Sequence, residues 1–151
     1  MNKSTTLLSF PDVNVWLALL HADHVHRAPA RLWWQRADEP IAFTRFTEVS
    51  LLRLLTTSAA MKHKPLTMDE AWRAYDRLFE DDRVSFYPEP AEVEKHFREY
   101  ASGPTASPKL WADAWLLAVA RAAGGTLVTF DRALAARGAR CLLPDPREDG
   151  Y

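Results

Sequence analysis

The sequence contains a single cysteine, Cys141. With no second cysteine in the chain to pair with it, an internal disulfide framework, a zinc site built from thiolates and a redox-active dithiol are all excluded. Glycine is scarce as well, with 5 glycines against 10 prolines in 151 residues, and no segment rich in glycine, serine or proline separates two halves. A chain of this length fits one domain. We therefore expect a single domain over residues 1–151, with a polar tail from about residue 144.

Long apolar segments and an excess of one charge are also missing. The longest uninterrupted apolar run, residues 114–120, is much shorter than the roughly 20 residues of a membrane span. Pro11, Asp12 and Asn14 interrupt the apolar N-terminal stretch, which argues against a signal peptide. The 19 Lys and Arg residues nearly balance the 20 Asp and Glu residues, giving a formal net charge of −1. We therefore expect a soluble protein of the reducing cytoplasm that holds any anionic substrate locally, without a general basic surface.

Segments typical of strands and of helices alternate along the chain. Strands are predicted at residues 6–10, 41–43, 83–87, 126–130 and 140–143. Helices are predicted at residues 13–21, 24–37, 45–60, 68–79, 92–100, 108–123 and 132–137. This alternation predicts an α/β layer architecture with a mainly parallel central sheet.

Capping signals mark several of the predicted helix starts. Thr44 is placed to cap the third helix, and Thr67 followed by Glu70 forms the pattern of a capping box. Ser107 followed by Pro108 predicts a cap with proline at the first helical position, where a missing N–H group costs nothing.

Four carboxylates fall where predicted strands end or helices begin. Asp12 follows the first strand and Asp131 follows the strand at 126–130, while Glu48 and Asp113 each lie at the head of an apolar helical stripe. In a parallel sheet these positions converge beyond the carboxyl ends of the strands. Several acids in one place repel one another unless a cation neutralises them, and Mg²⁺ or Mn²⁺ prefers oxygen ligands. The pattern therefore predicts a metal site.

Each of these acids also has a purely structural interpretation. Asp12 and Asp131 are favourable N-cap residues for the helices that follow them. Glu48 can complement a helix dipole, and Asp113 can pair with Lys109 four residues before it. The coincidence of all four at one predicted sheet edge favours a shared site over four separate structural roles.

Three segments together resemble the signatures of PIN-domain ribonucleases, most closely toxins of the VapC type. These are FPDVNVWLALL at 10–20, TRFTEVSLLRLLT at 44–56 and WADAWLLAVARAAGGTLVTFD at 111–131. The likeness holds in order and spacing from about residue 7 to 143. It implies a three-layer α/β/α fold and a metal-dependent endoribonuclease, the toxin component of a type II toxin–antitoxin system.

The resemblance also implies roles for individual residues. In that family an acidic cluster binds Mg²⁺ or Mn²⁺ for the hydrolysis of RNA phosphodiester bonds, and its acids correspond here to Asp12, Glu48, Asp113 and Asp131. Asn14 and Thr129 correspond to polar residues that can orient the carboxylates or a metal-bound water. The phenylalanine–proline pair before Asp12 departs from the aliphatic residue that is more usual there and slightly alters the strand end.

Basic residues near the predicted acidic edge are candidates for holding the RNA backbone. They are Arg45, Arg53, Lys62 and Lys64, and contacts of this kind fix register without reading sequence. The histidines at 21, 24 and 26 are interpreted as solvated surface, because a helix boundary passes through them and a transition-metal site is disfavoured.

Tryptophan is frequent, with six in the chain. Trp33 and Trp34 are adjacent on a helix and cannot both face one core, so one is expected to be partly exposed and to favour an interface. The four at positions 16, 72, 111 and 115 are expected in the core. The resemblance implies a homodimer, an RNA substrate such as tRNA or rRNA, and a cognate antitoxin. Two alternatives remain: an RNA-processing PIN nuclease without an antitoxin, and a non-catalytic PIN-like binding module.

Overall fold

The computed structural model describes residues 8–145 of the chain. Its sheet consists of β1 (Ser9–Pro11), β2 (Ile41–Phe43), β3 (Val84–Phe86), β4 (Thr126–Thr129) and β5 (Arg140–Cys141). The strand order is β3-β2-β1-β4-β5, and every neighbouring pair is parallel. Residues 6 and 7 of the first predicted strand, and the tail from residue 146, lie outside the described residues.

Seven helices connect or follow these strands in the described part of the chain. They are α1 (Val13–Leu20), α2 (Arg27–Arg36), α3 (Arg45–Leu55), α4 (Met68–Leu78), α5 (Val93–Tyr100), α6 (Leu110–Ala122) and α7 (Arg132–Ala135). Across residues 8–145, no helix has both the length and the apolar character that crossing a membrane requires.

The sheet separates two hydrophobic cores. In β2, Ile41 and Phe43 belong to the core formed with α1–α4, whereas Ala42 belongs to the core formed with α5–α7. Successive strand side chains point to opposite faces, so each buried strand serves both cores. The structure therefore confirms the prediction of a three-layer α/β/α fold with a parallel central sheet.

The strand order reverses beside β1. The chain passes from β1 to β2 and β3, and then returns across the sheet to place β4 against the other side of β1, with Pro11 paired to Val128. The carboxyl ends of strands at such a reversal form a crevice in which α/β proteins bind ligands. Asp12 directly follows β1, and Asp131 lies two residues after the last residue of β4.

Close packing between β1 and the turn before β4 holds this pair of strands together. A Cβ atom on Gly125 would lie 2.4 Å from the Leu8 carbonyl oxygen, so the position admits only glycine without a backbone shift. The next residue, Thr126, donates its N–H to the same carbonyl at 2.8 Å. Gly125 thus permits the close backbone approach at the amino ends of β1 and β4.

The predicted starts of two helices are wrong, because both helices begin later in the chain than predicted. α2 begins at Arg27 and not at residue 24, because residues 21–26 form a hydrogen-bonded turn. α6 begins at Leu110, and Ser107 does not cap it with its side chain. Instead, the Ser107 carbonyl accepts the Leu110 N–H at 2.9 Å, so the chain makes a turn before the helix starts.

The predicted continuation of α3 to residue 60 is also wrong. The helix ends at Leu55, where the Thr56 and Thr57 hydroxyls donate to carbonyls of the last turn at 2.6–3.1 Å. These side chains satisfy carbonyls that would otherwise accept the next turn of helix. A looser series of turns then leads back, and Leu66 donates its N–H to the Leu55 carbonyl.

The tryptophans divide between core and surface. Trp16 is fully buried and stacks on Phe43 with ring centroids 3.9 Å apart, and Trp34 is partly exposed beside the buried Trp33, as predicted. The prediction of a core position is wrong for Trp72 and Trp111, which are 46% and 59% exposed. Trp72 lies beside the buried stripe of α4. Trp111 lies in the first turn of α6, before Ala114, the first buried residue of that helix.

Candidate active site

Asp12 is fixed through both of its carboxylate oxygens. Oδ1 accepts the Val15 N–H at 3.1 Å and thereby caps α1, whereas Oδ2 accepts the Thr129 hydroxyl at 2.5 Å. The Asp12 N–H in turn donates to the Val128 carbonyl at 2.9 Å. Pairing of β1 with β4 therefore determines where this carboxylate lies.

Thr129 connects Asp12 to the acid that follows β4. Its side chain is fully buried, and its hydroxyl donates to Asp12 while accepting the Asp131 N–H at 3.1 Å. Asp131 caps α7 by accepting the Ala133 N–H at 2.9 Å. Both aspartates are thus N-caps, as the structural interpretation held. The cap geometry also directs them toward the same crevice.

The crevice is an open cavity of about 410 Å³ at the carboxyl ends of β1 and β4. It brings together three of the four predicted acids and both predicted orienting residues. The residues that line it are Asp12, Asn14, His24, His26, Asp113, Thr129, Phe130 and Asp131.

The three acids in the cavity repel one another. Burial raises the pKa of Asp12 above its ordinary value, and the charge of Asp113 raises it further against the hydrogen bonds from Thr129, Val15 and Asn14. The pKa of Asp113 is raised by burial and then by the charge of Asp131, and Arg137 opposes this in part. Within residues 8–145, Asp113 forms no ion pair with Lys109. A cation in the cavity would relieve this repulsion.

Glu48 lines a different cavity from these three acids. It is buried on α3, where its carboxylate accepts from the Arg45 guanidinium at 2.5 Å and from the Tyr75 hydroxyl. Burial and the Glu48 carboxylate together raise the pKa of Tyr75 far above its ordinary value. Glu48 lines a neighbouring groove of about 310 Å³ between α3 and α4, and not the acidic cavity. Its role as a fourth metal ligand stays a prediction.

The four predicted RNA-positioning residues lie outside the lining of the acidic cavity. Arg45 pairs with Glu48 and lies 4.6 Å from the Phe86 ring centroid, and Arg53 lines the groove beside Glu48. Lys62 donates to the Asp23 carbonyl at 2.8 Å, and Lys64 is exposed. Contact of these residues with RNA stays a prediction.

The donor set of the cavity fits a hard divalent cation. Carboxylate, amide and hydroxyl oxygens from Asp12, Asp113, Asp131, Asn14 and Thr129 are ligands of the kind that Mg²⁺ and Mn²⁺ prefer. Within residues 8–145, no three His, Cys, Asp or Glu side chains lie close enough together to enclose a metal. Mg²⁺ is usually held by one or two carboxylates and keeps several waters, so this open arrangement suits it.

The two histidines of the cavity lining were missed by the sequence interpretation. His24 and His26 are partly buried in the cavity wall and are not freely solvated. A signal was available in the length of α1. This helix has 8 residues and covers only about 12 Å, so the turn that follows it cannot lie far from Asp12.

Known proteins match this chain over most of its length. The family model of the PIN domain matches residues 9–139. Ribonuclease VapC41 of Mycobacterium tuberculosis, from two strains, is 41% identical over 133 residues, which cover 84% of this chain and 91% of the relative. The chain belongs to the VapC family of PIN-domain ribonucleases. The predicted family, and with it the prediction of a PIN-domain ribonuclease, is thereby confirmed.

Solved structures show that the VapC chain has the fold of its family. VapC20 of M. tuberculosis, described as a toxin that cleaves the sarcin–ricin loop, superposes with a TM-score of 0.63 at 19% identity, covering 90% of this chain and 99% of that one. VapBC2 of Rickettsia felis, bound to a DNA fragment from its promoter, gives a TM-score of 0.61 at 15% identity, with coverages of 91% and 98%. At these identities the likeness concerns the fold.

We expect Thr129→Val in this VapC chain to lower metal affinity and RNA cleavage by about 10- to 100-fold, because the hydroxyl that orients Asp12 and the Asp131 backbone is lost. Thr129→Ser keeps the hydroxyl and should retain most of the activity. The comparison requires Mn²⁺ titration and cleavage rates for both variants. Equal losses in the valine and serine variants would assign Thr129 to packing.

Proposed function

We propose that this VapC-type ribonuclease hydrolyses internal phosphodiester bonds of RNA at the acidic cavity, with Mg²⁺ or Mn²⁺ as its cofactor. The observation that carries the proposal is the convergence of Asp12, Asp113 and Asp131 on one open cavity. Three elements that are distant in sequence supply these acids at the point where the strand order reverses. Acids that served only to cap or flank their own helices would not need to converge on one cavity.

Each residue of the cavity has a separate task in this proposal. Asp12 and Asp113 supply the negative charge that holds the cation, and Asp131 adds to it at the end of β4. The Thr129 hydroxyl donates a hydrogen bond to Asp12 and so fixes the orientation of that carboxylate. Asn14 offers an amide at the rim. When bound, the ion supplies Lewis acidity that activates water for attack on phosphorus and stabilises the charge on the leaving oxygen.

The same acids explain why the cation is needed for RNA binding as well as for chemistry. A phosphodiester is an anion and is repelled by three carboxylates, and the formal net charge of −1 offers no general attraction. A divalent ion reverses the sign of the local charge. Glu48 pairs with Arg45 and lines the neighbouring groove. We propose it as a fourth acid whose loss lowers RNA cleavage less than the loss of any of the other three.

We further propose that a cognate antitoxin restrains the ribonuclease and that the active form is a homodimer. The apolar groove between α3 and α4 fits a helix of such an antitoxin, because exposed apolar side chains surround it. Met68 and Val49 are 70% and 56% exposed there, next to Trp72. The VapBC structure among the structural neighbours supports a partner of this class.

The test is incubation of total cellular RNA, and separately of purified tRNA and rRNA, with antitoxin-free protein. Discrete fragments are expected with Mn²⁺ or Mg²⁺ and none with EDTA. Asp113→Asn should give no fragments, and Asp69→Asn provides the matched control because it makes the same change on an exposed turn of α4. Intact RNA from a folded, metal-loaded sample would favour a non-catalytic binding module. Trimming to defined mature ends would favour an RNA-processing nuclease.

A further inference from the structure

The acidic cavity has an aromatic wall that the metal chemistry does not use. This wall comes from the histidine turn, defined as residues 21–26 between α1 and α2, together with Phe130, the residue after β4. His24 and His26 both line the cavity beside the three acids. Neither imidazole forms an ion pair with an acid in the described part of the chain. No acid in that part of the chain therefore pairs with either imidazole.

Besides its backbone hydrogen bonds, the histidine turn is held by two bonds that involve side chains. The His26 backbone N–H donates to Nδ1 of His24 at 3.0 Å, and Lys62 Nζ donates to the Asp23 carbonyl at 2.8 Å from the loop after α3. Because Nδ1 of His24 accepts a hydrogen bond, the neutral ring carries its proton on Nε2. Burial lowers the pKa of His24 below its ordinary value, which favours this neutral donor form at pH 7.

Both imidazole rings pack on Phe130. The His26 and Phe130 centroids are 4.7 Å apart, and the His24 and Phe130 centroids are 6.0 Å apart. Phe130 lies between Thr129 and Asp131, so its backbone is fixed by the same strand that orders the acids. The position of the histidine rings relative to the carboxylates is therefore set by the fold.

Helix capping does not explain the histidine at position 26. His26 is the N-cap residue of α2, yet its side chain makes no capping hydrogen bond. Serine, threonine, aspartate or asparagine would stabilise the helix better at this position. The imidazole lies in the cavity wall instead, which indicates a role in binding.

We propose that the histidine turn positions the RNA nucleotide next to the scissile phosphate. The His26 ring stacks on an unpaired base, and Nε2–H of His24 donates to an oxygen of the sugar–phosphate backbone. Stacking of unpaired bases on aromatic side chains is a common means of recognising single-stranded RNA. The inference rests on the proposed ribonuclease function and adds which side chains hold the nucleotide beside the cut.

The decisive variant is His26→Asn, because it improves the helix cap and removes the ring. Its melting temperature should equal or exceed that of the parent protein. We expect KM for a single-stranded oligoribonucleotide pool of randomised sequence to rise about tenfold, with a smaller change in kcat. Sequencing of the product ends should show a weaker preference at the nucleotide beside the cut. His26→Phe keeps an aromatic face and should restore much of the affinity.

His24→Asn tests the second contact separately. The asparagine side-chain oxygen can replace Nδ1 as the acceptor within the turn, but the donor at the Nε2 position is lost. We expect an unchanged melting temperature and a KM raised severalfold. Unchanged KM and unchanged product ends in both His26→Asn and His24→Asn would overturn the proposal. So would a fall in kcat alone, since that result would assign the histidines to the chemical step.

Failure of the ribonuclease function is distinguished by binding in a background that does not cleave. The same RNA pool, labelled with a fluorophore, is titrated with the parent protein and with His26→Asn, both with Ca²⁺ in place of Mn²⁺ so that a divalent ion with oxygen ligands can still occupy the cavity. A gel checks that the RNA is intact, and anisotropy gives the affinity. Loss of affinity in His26→Asn supports the aromatic wall whether or not the parent protein cleaves. Equal affinity of the two proteins contradicts it, even if the parent protein cleaves RNA.

Discussion

Asp113→Asn is expected to abolish RNA cleavage while leaving the protein folded and at least as stable as its parent. The cleavage loss follows from removal of a charge that holds the cation. Removing several kcal/mol of transition-state stabilisation lowers the cleavage rate by about a thousandfold. The stability gain follows from the neighbours of Asp113, because burial and the charge of Asp131 raise its pKa above the ordinary value.

The direction of the stability effect can be derived from this pKa. The unfolded chain ionises Asp113 at a lower pH than the folded chain does, so the folded state binds more protons in the interval between the two pKa values. The free energy of unfolding therefore falls as the pH rises through that interval, and at pH 7 the ionised carboxylate is a net cost. Asparagine has the same shape without the charge and avoids that cost.

Two measurements check this expectation. Cleavage rates are compared for the parent protein, Asp113→Asn and Asp69→Asn, and thermal melts of the three are recorded in EDTA. A melting temperature of Asp113→Asn well below that of the parent would show that the carboxylate supports the fold. Substantial cleavage by a folded Asp113→Asn protein would remove Asp113 from the site.

The parts of the site predictable from sequence were those set by strand ends. Asp12 and Asp131 each follow a short apolar segment, and parallel strands bring such positions to one edge of the sheet. The sequence could not decide between cap and site for these two residues. The structure shows why, since the Asp12 carboxylate caps α1 through Oδ1 and meets Thr129 through Oδ2.

Features that depend on contacts between distant segments were not predictable. Glu48 heads an apolar stripe just as Asp113 does, but its partners are Arg45 and Tyr75, and tertiary packing on α4 determines the latter. The contact of the histidine turn with Phe130 was not predictable for the same reason, although the 8-residue length of α1 limits how far the turn can lie from Asp12. Its place in the cavity depends on Phe130, more than 100 residues away, and no local periodicity reports that contact.

Addition of Mn²⁺ is expected to raise the melting temperature of the metal-free protein. Burial and mutual repulsion hold the pKa values of Asp12 and Asp113 above their ordinary values, so the folded state without metal carries unfavourable electrostatic energy. An ion that binds only the folded state stabilises it by about 2.7 kcal/mol at a hundred times its dissociation constant. For a domain of this size that corresponds to a shift of roughly 5–10 °C.

The rise in melting temperature caused by Mn²⁺ should depend on which carboxylate a variant lacks. Asp12→Asn and Asp113→Asn remove acids of the cavity and should lose most of the Mn²⁺-induced stabilisation. Glu48→Gln should keep the larger part, because the Glu48 carboxylate is 2.5 Å from Arg45 and lines the neighbouring groove. Scanning calorimetry of the parent protein and the three variants, each with and without Mn²⁺ in the same buffer, measures the shift. Equal loss in the three variants would make Glu48 a metal ligand of the same rank, which requires its carboxylate to leave Arg45 and turn toward the cavity when the ion binds.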